Sequence, residues 1–338
     1  MNVIIGVDSG GTRTSVKIIA GDPPGLVLQY EALATLDGSL SPKQYGETLR
    51  KVLARAAAQV LELPGCSVHL FISAAGFSPP VRHEFLTALR NVMPDLLGDS
   101  VAAAGAANDG VSLMLAYESS LAVIAGTGSI VLVRSPEGFR QVGGHDWVAC
   151  DQGSGFWIGL RSIRRAFNDL DQGVDSVLLQ RLYEHFGLPL DDDERLVAKA
   201  YDLAVAHASM KREIARFAAS VCGAAERGDL VAQDIVKAEA EELADLTISA
   251  VRRFPPPGVT ADLTGVLCGG LLSNEFYRKA FDNQVAMRLS STSPLTAISW
   301  RQVNNGLDAA VVLATKLANS DLEFMSIDED HRPVVVHF

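Results

Sequence analysis

The sequence predicts an α/β protein made of two related domains with a cleft between them, and three observations lead to it. The first is the stretch Val3-Ile4-Ile5-Gly6-Val7-Asp8-Ser9-Gly10-Gly11-Thr12-Arg13-Thr14-Ser15-Val16-Lys17-Ile18-Ile19-Ala20. An apolar run ends at an acid and a glycine pair, then resumes as β-branched residues in period two, which reads as strand, tight turn and strand. The second is a repeat of that pattern in Leu121-Ala122-Val123-Ile124-Ala125-Gly126-Thr127-Gly128-Ser129-Ile130-Val131-Leu132-Val133. The third is the length of 338 residues, enough for about two domains, with Gly10 and Gly126 separated by roughly the 100–150 residues of one domain. A duplicated hairpin implies a duplicated domain, with one anion-binding turn from each half facing across the cleft.

The first turn has a definite chemistry. Gly10 and Gly11 permit positive φ and bring backbone N–H groups close to an anion, while Thr12 and Thr14 offer hydroxyl donors. Asp8 can sit beside such an anion when a cation lies between them. Mg²⁺, which keeps most of its waters and is shared with nucleotide phosphates, is the natural candidate. Turns of this composition also close ordinary hairpins.

Bulk properties narrow the function classes. The formal net charge is −11, from 29 Lys and Arg against 40 Asp and Glu, so general attraction to nucleic acid or an anionic membrane surface is not expected. A phosphate ligand must be held by local geometry. The four cysteines, Cys66, Cys150, Cys222 and Cys268, are widely spaced with no C-x-x-C, which suggests reduced thiols rather than a zinc or iron–sulfur motif. With neither a signal peptide nor a long apolar run, the expectation is a soluble cytoplasmic protein.

The segment Gly143-Gly144-His145-Asp146-Trp147-Val148-Ala149-Cys150-Asp151-Gln152-Gly153-Ser154-Gly155-Phe156-Trp157-Ile158, together with the two hairpins, resembles the N-acetylglucosamine kinase and BadF/BcrA-type ATPase branch of the sugar kinase, actin and heat-shock chaperone ATPase superfamily. The resemblance runs to about Ala318. It implies two ribonuclease-H-like (actin-like ATPase) domains with a cleft between them, the second carrying a helical insertion. The first domain would span 1–118, joined at the hinge by a last helix at about 306–318. The second would span 119–305 with the insertion at about 155–253, leaving a tail at 319–338.

Taken in order, the opening hairpin is followed by the turn Asp22-Pro23-Pro24-Gly25 and a strand over Leu26–Leu33. A polar loop, Thr35 to Pro42, leads to a helix over Tyr45–Leu63. The resembling kinases carry a sugar-binding Asn in this loop, and Ser41 stands in its place here. Val68–Ser73 reads as a strand, and Ala74-Ala75-Gly76-Phe77 as a turn to a helix near Pro79 or Pro80; its small residues suit either a cleft wall or close strand–helix packing. Asp99–Ala104 reads as the last strand of the first half, then a loop through Gly105-Ala106-Ala107 and a helix over Val111–Glu118. Asp109 thus follows a strand's C-terminal end, where open α/β sheets place ligands, although an acid at a helix start also serves as a cap. The resemblance makes Asp109 the base that accepts the proton of the attacking sugar hydroxyl.

Beyond the second hairpin, Gln141–Ile158 joins a glycine turn to a helix starting near Ser154. By resemblance Asp151 is a sugar-binding carboxylate. This segment departs from the family at His145, Asp146, Cys150 and Gln152. Residues from Leu160 to Arg253 follow helical spacing and end in an acidic-faced helix over Leu230–Val251. In that block His185, His207 and Lys211 read as solvated or packed, Asp191–Glu194 as a helix start, and Glu239-Ala240-Glu241-Glu242 as a solvated face. After the break at Pro255–Gly258, Thr264–Asn274 gives a strand, the pair Gly269-Gly270 and a helix. The pair matches the family's adenosine segment, though a plain turn has the same composition. Asn305–Ala310 opens a helix over Ala309–Leu317, and Pro333–Phe338 is strand-like.

The resemblance therefore implies an ATP-dependent sugar kinase for an amino sugar or N-acetylated hexosamine, using Mg²⁺ and forming a homodimer. Gly10, Gly11, Thr12, Arg13, Gly126, Thr127 and Gly128 would hold ATP phosphates, Asp8 would orient the metal, and Gly269 and Gly270 would receive adenosine. Sugar contacts would come from Ser41, Asp109, Ser129, Gly144 and Asp151. Arg13 suits the charge developing on a transferred phosphoryl group, or else it is a surface turn residue. Two rivals share these features: an ATPase activator of acyl-CoA reductases or dehydratases, which requires cysteines for an iron–sulfur cluster, and a sugar-sensing protein without turnover. Ser41, His145 and Asp146 together suggest a site favouring a free ammonium over an acetamide, with Asp146 as its counter-charge if it lines the pocket rather than pointing to solvent.

Overall fold

A computed structural model describes residues 1–10, 13–21, 25–36, 40–78, 81–205, 210–258, 262–290, 297–320 and 333–338. The chain forms two compact units. One comprises Met1–Ala122, Arg134–Arg140 and Asn305–Phe338, the other Val123–Val133 and Gln141–Asn304.

The first unit is built on a six-stranded sheet of β1 (Asn2–Ser9), β2 (Thr14–Ala20), β3 (Leu26–Ala32), β4 (Ser67–Ala74), β5 (Val101–Ala107) and β11 (Val334–His337), in the order β11-β5-β4-β1-β2-β3. The opening hairpin is antiparallel, with Ser9 opposite Thr14, whereas β4 runs parallel to both β1 and β5. Helices α1 (Pro42–Leu61) and α2 (Arg82–Leu97) bury Tyr45, Leu49, Val52, Phe85, Leu89 and Met93 against Val3, Ile5, Val7 and Ile72. Helix α10 (Leu307–Ala318) packs on β1 and β4 and touches α3 (Asp109–Ala116).

Two boundaries differ from the sequence reading. The last parallel strand starts at Val101 and runs on through Gly105, Ala106 and Ala107, which the sequence presents as a loop. These residues are small because the sheet is crowded there: a Cβ on Gly105 would stand 2.8 Å from Phe71 Cδ2. Helix α3 accordingly begins at Asp109 rather than Val111. The predicted start of the second helix at Pro79 or Pro80 lies outside the described residues. The strand-like end of the tail is an edge strand, with Val334 opposite Ala106.

The second unit centres on a five-stranded sheet of β6 (Leu121–Ala125), β7 (Ser129–Ser135), β8 (Gly138–Gly143), β9 (Asp262–Cys268) and β10 (Ala297–Val303), ordered β10-β9-β6-β7-β8. Between β8 and β9 run α4 (Gly155–Asp171), α5 (Val177–Phe186), α6 (Asp193–Val205), α7 (Met210–Glu226) and α8 (Leu230–Arg253), the predicted helical stretch; α9 (Glu275–Ser290) follows β9. Helix α4 packs along α7, and α8 along α9. Among the described residues no helix is long and apolar enough to cross a membrane.

Candidate active site

In the first unit the site is a pair of carboxylates at the C-terminal edge of the parallel strands. Asp8 is the penultimate residue of β1, and Asp109 follows β5 as the first residue of α3. Strand geometry brings both to one edge because β1, β4 and β5 run parallel, the arrangement that places ligands beyond strand ends. Burial, and then the neighbouring charge of Asp109, pushes the Asp8 carboxyl up to about 7, against the Gly306 N–H and Arg13, which lower it. Burial likewise raises Asp109 to about 6 despite the backbone N–H groups of Gly110 and Asp109 itself.

The capping alternative for Asp109 is resolved by its neighbour. Asn108 is the N-cap of α3: its side chain accepts from Gly110 N at 3.0 Å and donates to the Phe77 carbonyl at 3.4 Å. Asp109 Oδ1 accepts from the same Gly110 N at 2.8 Å, so its other oxygen is not needed to start the helix.

The turn between β1 and β2 is closed by Gly10 N donating to Arg13 O at 3.0 Å; Gly11 and Thr12 lie outside the described residues. The remaining hydroxyl assigned here is corrected. Thr14 is fully buried and donates to Ala34 O at 2.6 Å, with Ser9 Oγ 3.0 Å away, so it holds the following chain and offers nothing to a phosphate. Arg13 forms an exposed ion pair with Glu31 at 3.1 Å. Ser41 is the N-cap of α1 in a reciprocal capping box with Gln44, to which its hydroxyl donates at 2.8 Å. That local bond occupies the hydroxyl assigned to sugar.

In the second unit the loop from Gly143 to Ser154 is the chemical centre. Asp151 is 2% exposed, yet its Oδ2 lies 2.8 Å from Lys211 Nζ on α7, and the same ammonium is 2.6 Å from Asp146 Oδ1. Burial alone would depress the Lys211 ammonium, but hydrogen bonds to Asp146 and Asp151 outweigh it and hold it above its usual value. Both aspartates have left-handed backbone, φ 69° at Asp146 and 66° at Asp151, a conformation that non-glycine residues keep only where surroundings enforce it. A Cβ on Gly128 would stand 2.9 Å from Asp151 Oδ2, so the glycine is what lets the hairpin turn approach the carboxylate.

Lys211, read as solvated or packed, is packed with its charge engaged by both aspartates, so Asp146, expected as a counter-charge for a substrate ammonium, has Lys211 as its cation instead. No local pattern could have revealed this, since Lys211 and the aspartates are joined only by packing. His185 is packed as expected, against Phe186 and Phe217; His207 lies outside the described residues.

The β6–β7 turn is braced from behind. Gly126 O accepts from Gly155 N at 2.8 Å and Thr127 O from Phe156 N at 3.2 Å, so the start of α4 is tied to the β6–β7 turn. Ser129 N approaches Asp151 Oδ1 at 3.5 Å while its hydroxyl donates to Gln152 O at 2.7 Å. Gly144 has φ 67° and its carbonyl accepts from Gln141 Nε2 at 3.3 Å. Gly269, at φ 109°, passes against the backbone of Ala125, which alone accounts for a glycine there; a Cβ on Gly270 would meet nothing within 4 Å, leaving a surface open to a flat ligand.

Glu239 also departs from its reading as part of a solvated face. It is 1% exposed, accepts from Gly153 N at 2.7 Å and pairs with Arg161 at 2.7 Å, while Tyr277 donates its hydroxyl to Gly153 O at 2.6 Å. Both backbone polar groups of the residue two beyond Asp151 are therefore fixed by α8 and α9.

The donor set at Asp8 fits a magnesium ion. Desolvation and the adjacent Asp109 disfavour two charges there, a conflict that a divalent cation relieves. Cys222 is buried on α7, and burial, then Glu226, pushes its thiol up to about 12.

A family model for the BadF/BadG/BcrA/BcrD ATPases matches residues 5–295. The chain belongs to the BadF/BadG/BcrA/BcrD ATPase family. A curated relative, the N-acetylmuramic acid/N-acetylglucosamine kinase of Clostridium acetobutylicum, is 28% identical over 255 residues, covering 74% of this chain and 79% of its own. A solved structure from Chromobacterium violaceum, assigned as an N-acetylglucosamine kinase, superposes with a TM-score of 0.63 at 22% identity over 92% of this chain and 98% of its own. Another with that assignment, from Porphyromonas gingivalis, gives 0.66 at 17% identity over 95% and 100%. At such identities the structures establish the fold, and the α/β class with two halves predicted from the duplicated hairpin is the one observed. In this BadF-type chain the carboxylate pair and the lysine-clamped loop occupy separate units.

Proposed function

We propose that this chain is an ATP-dependent kinase for an N-acetylated hexosamine, with Asp109 as general base. The observation that carries the reading is Asp109 itself: a carboxylate raised to about 6, at a helix start whose capping is done by Asn108. A base with a pKa just below neutral is ionised at pH 7 yet basic enough to take a hydroxyl proton. A sensor without turnover has no need of such a group.

Asp8 would hold the magnesium of MgATP through its carboxylate, and the ion would offset phosphate charge. ATP phosphates are assigned to Gly10, Gly11, Thr12, Arg13, Gly126, Thr127 and Gly128, and adenosine to the open face at Gly270 beside Gly269. Asp151, Ser129 N–H and the Gly144 backbone are assigned to the sugar. The compensated charge of Asp146 supports a neutral acetamide over a free ammonium, and the relative from Clostridium acetobutylicum is a kinase of N-acetylated sugars by name. The acyl-CoA activator reading gains no support from Cys66, Cys222 and Cys268, which are buried. The proposal includes a homodimer in the cytoplasm.

The test is a coupled ADP-release assay with MgATP across N-acetylglucosamine, N-acetylmuramic acid, N-acetylmannosamine, glucosamine and glucose. Turnover led by an N-acetylated hexosamine supports the reading. Glucosamine or glucose as the leading substrate would overturn the substrate class, and no turnover with any would overturn the kinase.

A further inference from the structure

We infer that Lys211, on the helical insertion, is the positioning residue for Asp151 and thereby sets affinity for the acceptor sugar, an inference that rests on the assignment of Asp151 to sugar given above. Asp151 is almost fully withdrawn from water, and a buried carboxylate without a counter-charge is costly. Its contacts are Lys211 Nζ at 2.8 Å and Ser129 N at 3.5 Å, and only the first carries charge. Those two contacts leave lone pairs for sugar hydroxyls, since an ionised carboxylate offers about four acceptor sites.

Lys211 also fixes where the carboxylate points. Asp146, whose side chain is 64% exposed, grips the same ammonium at 2.6 Å, and its carbonyl accepts from Ala149 N at 3.1 Å and Cys150 N at 2.8 Å. One cation thus clamps both left-handed aspartates at the two ends of a single loop. The clamp has a packed base: a Cβ on Gly159 of α4 would collide with the carbonyl oxygen of Ile214, the first buried residue of α7 and three residues beyond Lys211, so the two helices meet closely there. With two carboxylates around it the ammonium is offset, which makes Lys211 a support for Asp151 rather than a receptor for an anionic substituent.

The experiment is calorimetric binding of N-acetylglucosamine and, separately, of the non-hydrolysed analogue AMPPNP with Mg²⁺, to the wild type and to Lys211→Met, Lys211→Gln, Lys211→Arg, Asp151→Asn and Lys211→Met/Asp151→Asn. The expected result is a 10- to 100-fold rise in sugar Kd for Lys211→Met and Lys211→Gln, recovery to within about threefold in Lys211→Arg, and nucleotide Kd unchanged throughout. The double variant should bind sugar no worse than Asp151→Asn, because the lysine acts only through that carboxylate. Lys211→Gln, which keeps a hydrogen-bond donor, serves if Lys211→Met does not fold. If Asp151→Asn loses sugar but the Lys211 variants keep it within twofold, the inference is overturned and the kinase reading stands. If Asp151→Asn also keeps sugar affinity, or the wild type binds none, the sugar assignment falls and the inference with it. Parallel losses of sugar and nucleotide affinity with a lowered Tm would show a merely structural lysine and overturn the inference.

Discussion

Gly306 donates its backbone N–H to Asp8 Oδ2 at 3.2 Å, tying the residue before α10 to the end of the first strand. The contact is possible only without a side chain, because a Cβ at Gly306 would stand 2.5 Å from Asp8 Oδ1. Gly306→Ala should therefore displace the carboxylate. We expect a fall of at least tenfold in kcat and a destabilisation of about 1–3 kcal/mol, the range for overpacking a filled site. Steady-state kinetics and urea unfolding check both; wild-type values for each would show that the carboxylate does not need this position.

Asp109→Asn should leave sugar and nucleotide binding nearly intact while kcat drops by roughly 10²–10⁴, the usual worth of general base catalysis. The wild type adds a pH signature. Since the base must be ionised and its carboxyl lies at about 6, kcat at saturating MgATP and sugar should fall about tenfold per pH unit below that value. A profile flat down to pH 5 would remove Asp109 from the mechanism.

Asp8 makes the opposite kind of prediction, about stability. Its carboxyl is raised from 3.8 to about 7, first by burial and then by Asp109, so the folded protein holds this proton more tightly than the unfolded chain. The stability linked to it is fully present below about pH 3.8 and is lost as pH rises through about 7. Asp8→Asn should consequently stabilise the metal-free protein by a few kcal/mol, on the order of the shift at 1.36 kcal/mol per pH unit, at pH 8 and hardly at all at pH 4. Thermal unfolding at both pH values in a chelator tests it. An equal gain at both would mean that charge is not the cause.

Glu239→Ala should unfold more easily by about 1–3 kcal/mol, because it leaves the buried Gly153 N–H without its acceptor, while the exposed Arg161 can turn to water. Glu239→Gln, which retains an acceptor for Gly153, should lose clearly less. Equal losses in chemical unfolding would assign the effect to the carboxylate charge facing Arg161 rather than to the hydrogen bond.

Much of the architecture is legible along the chain because it depends on neighbours in sequence. The run Val3–Ala20 declares a hairpin through period-two apolar residues and a glycine pair, and the hairpin is there with Ser9 opposite Thr14. Ser154 declares the start of α4, and its side chain does accept from Trp157 N. Where packing rather than propensity decides, the reading fails. Gly105-Ala106-Ala107 looks like a loop until Phe71 of the next strand is seen to require small residues. Glu239 looks solvated because three acids fall within four residues, yet the helix turns one of them inward to meet the Gly153 amide.

The chain by itself determined the duplicated α/β plan and the two glycine-rich turns, since these follow from periodicity and turn chemistry; its turn singled out Asp8, and the family resemblance singled out Asp109 and Asp151. Only tertiary structure decided which of those groups remain available for chemistry. Thr14 and Ser41 were taken up by a buried loop contact and a helix cap, Asp109 was released by its neighbour Asn108, and Asp146 and Asp151 were both claimed by Lys211. The reason is physical: a hydrogen bond or ion pair depends on distance in space and on exclusion of water, and neither quantity is written into the order of residues.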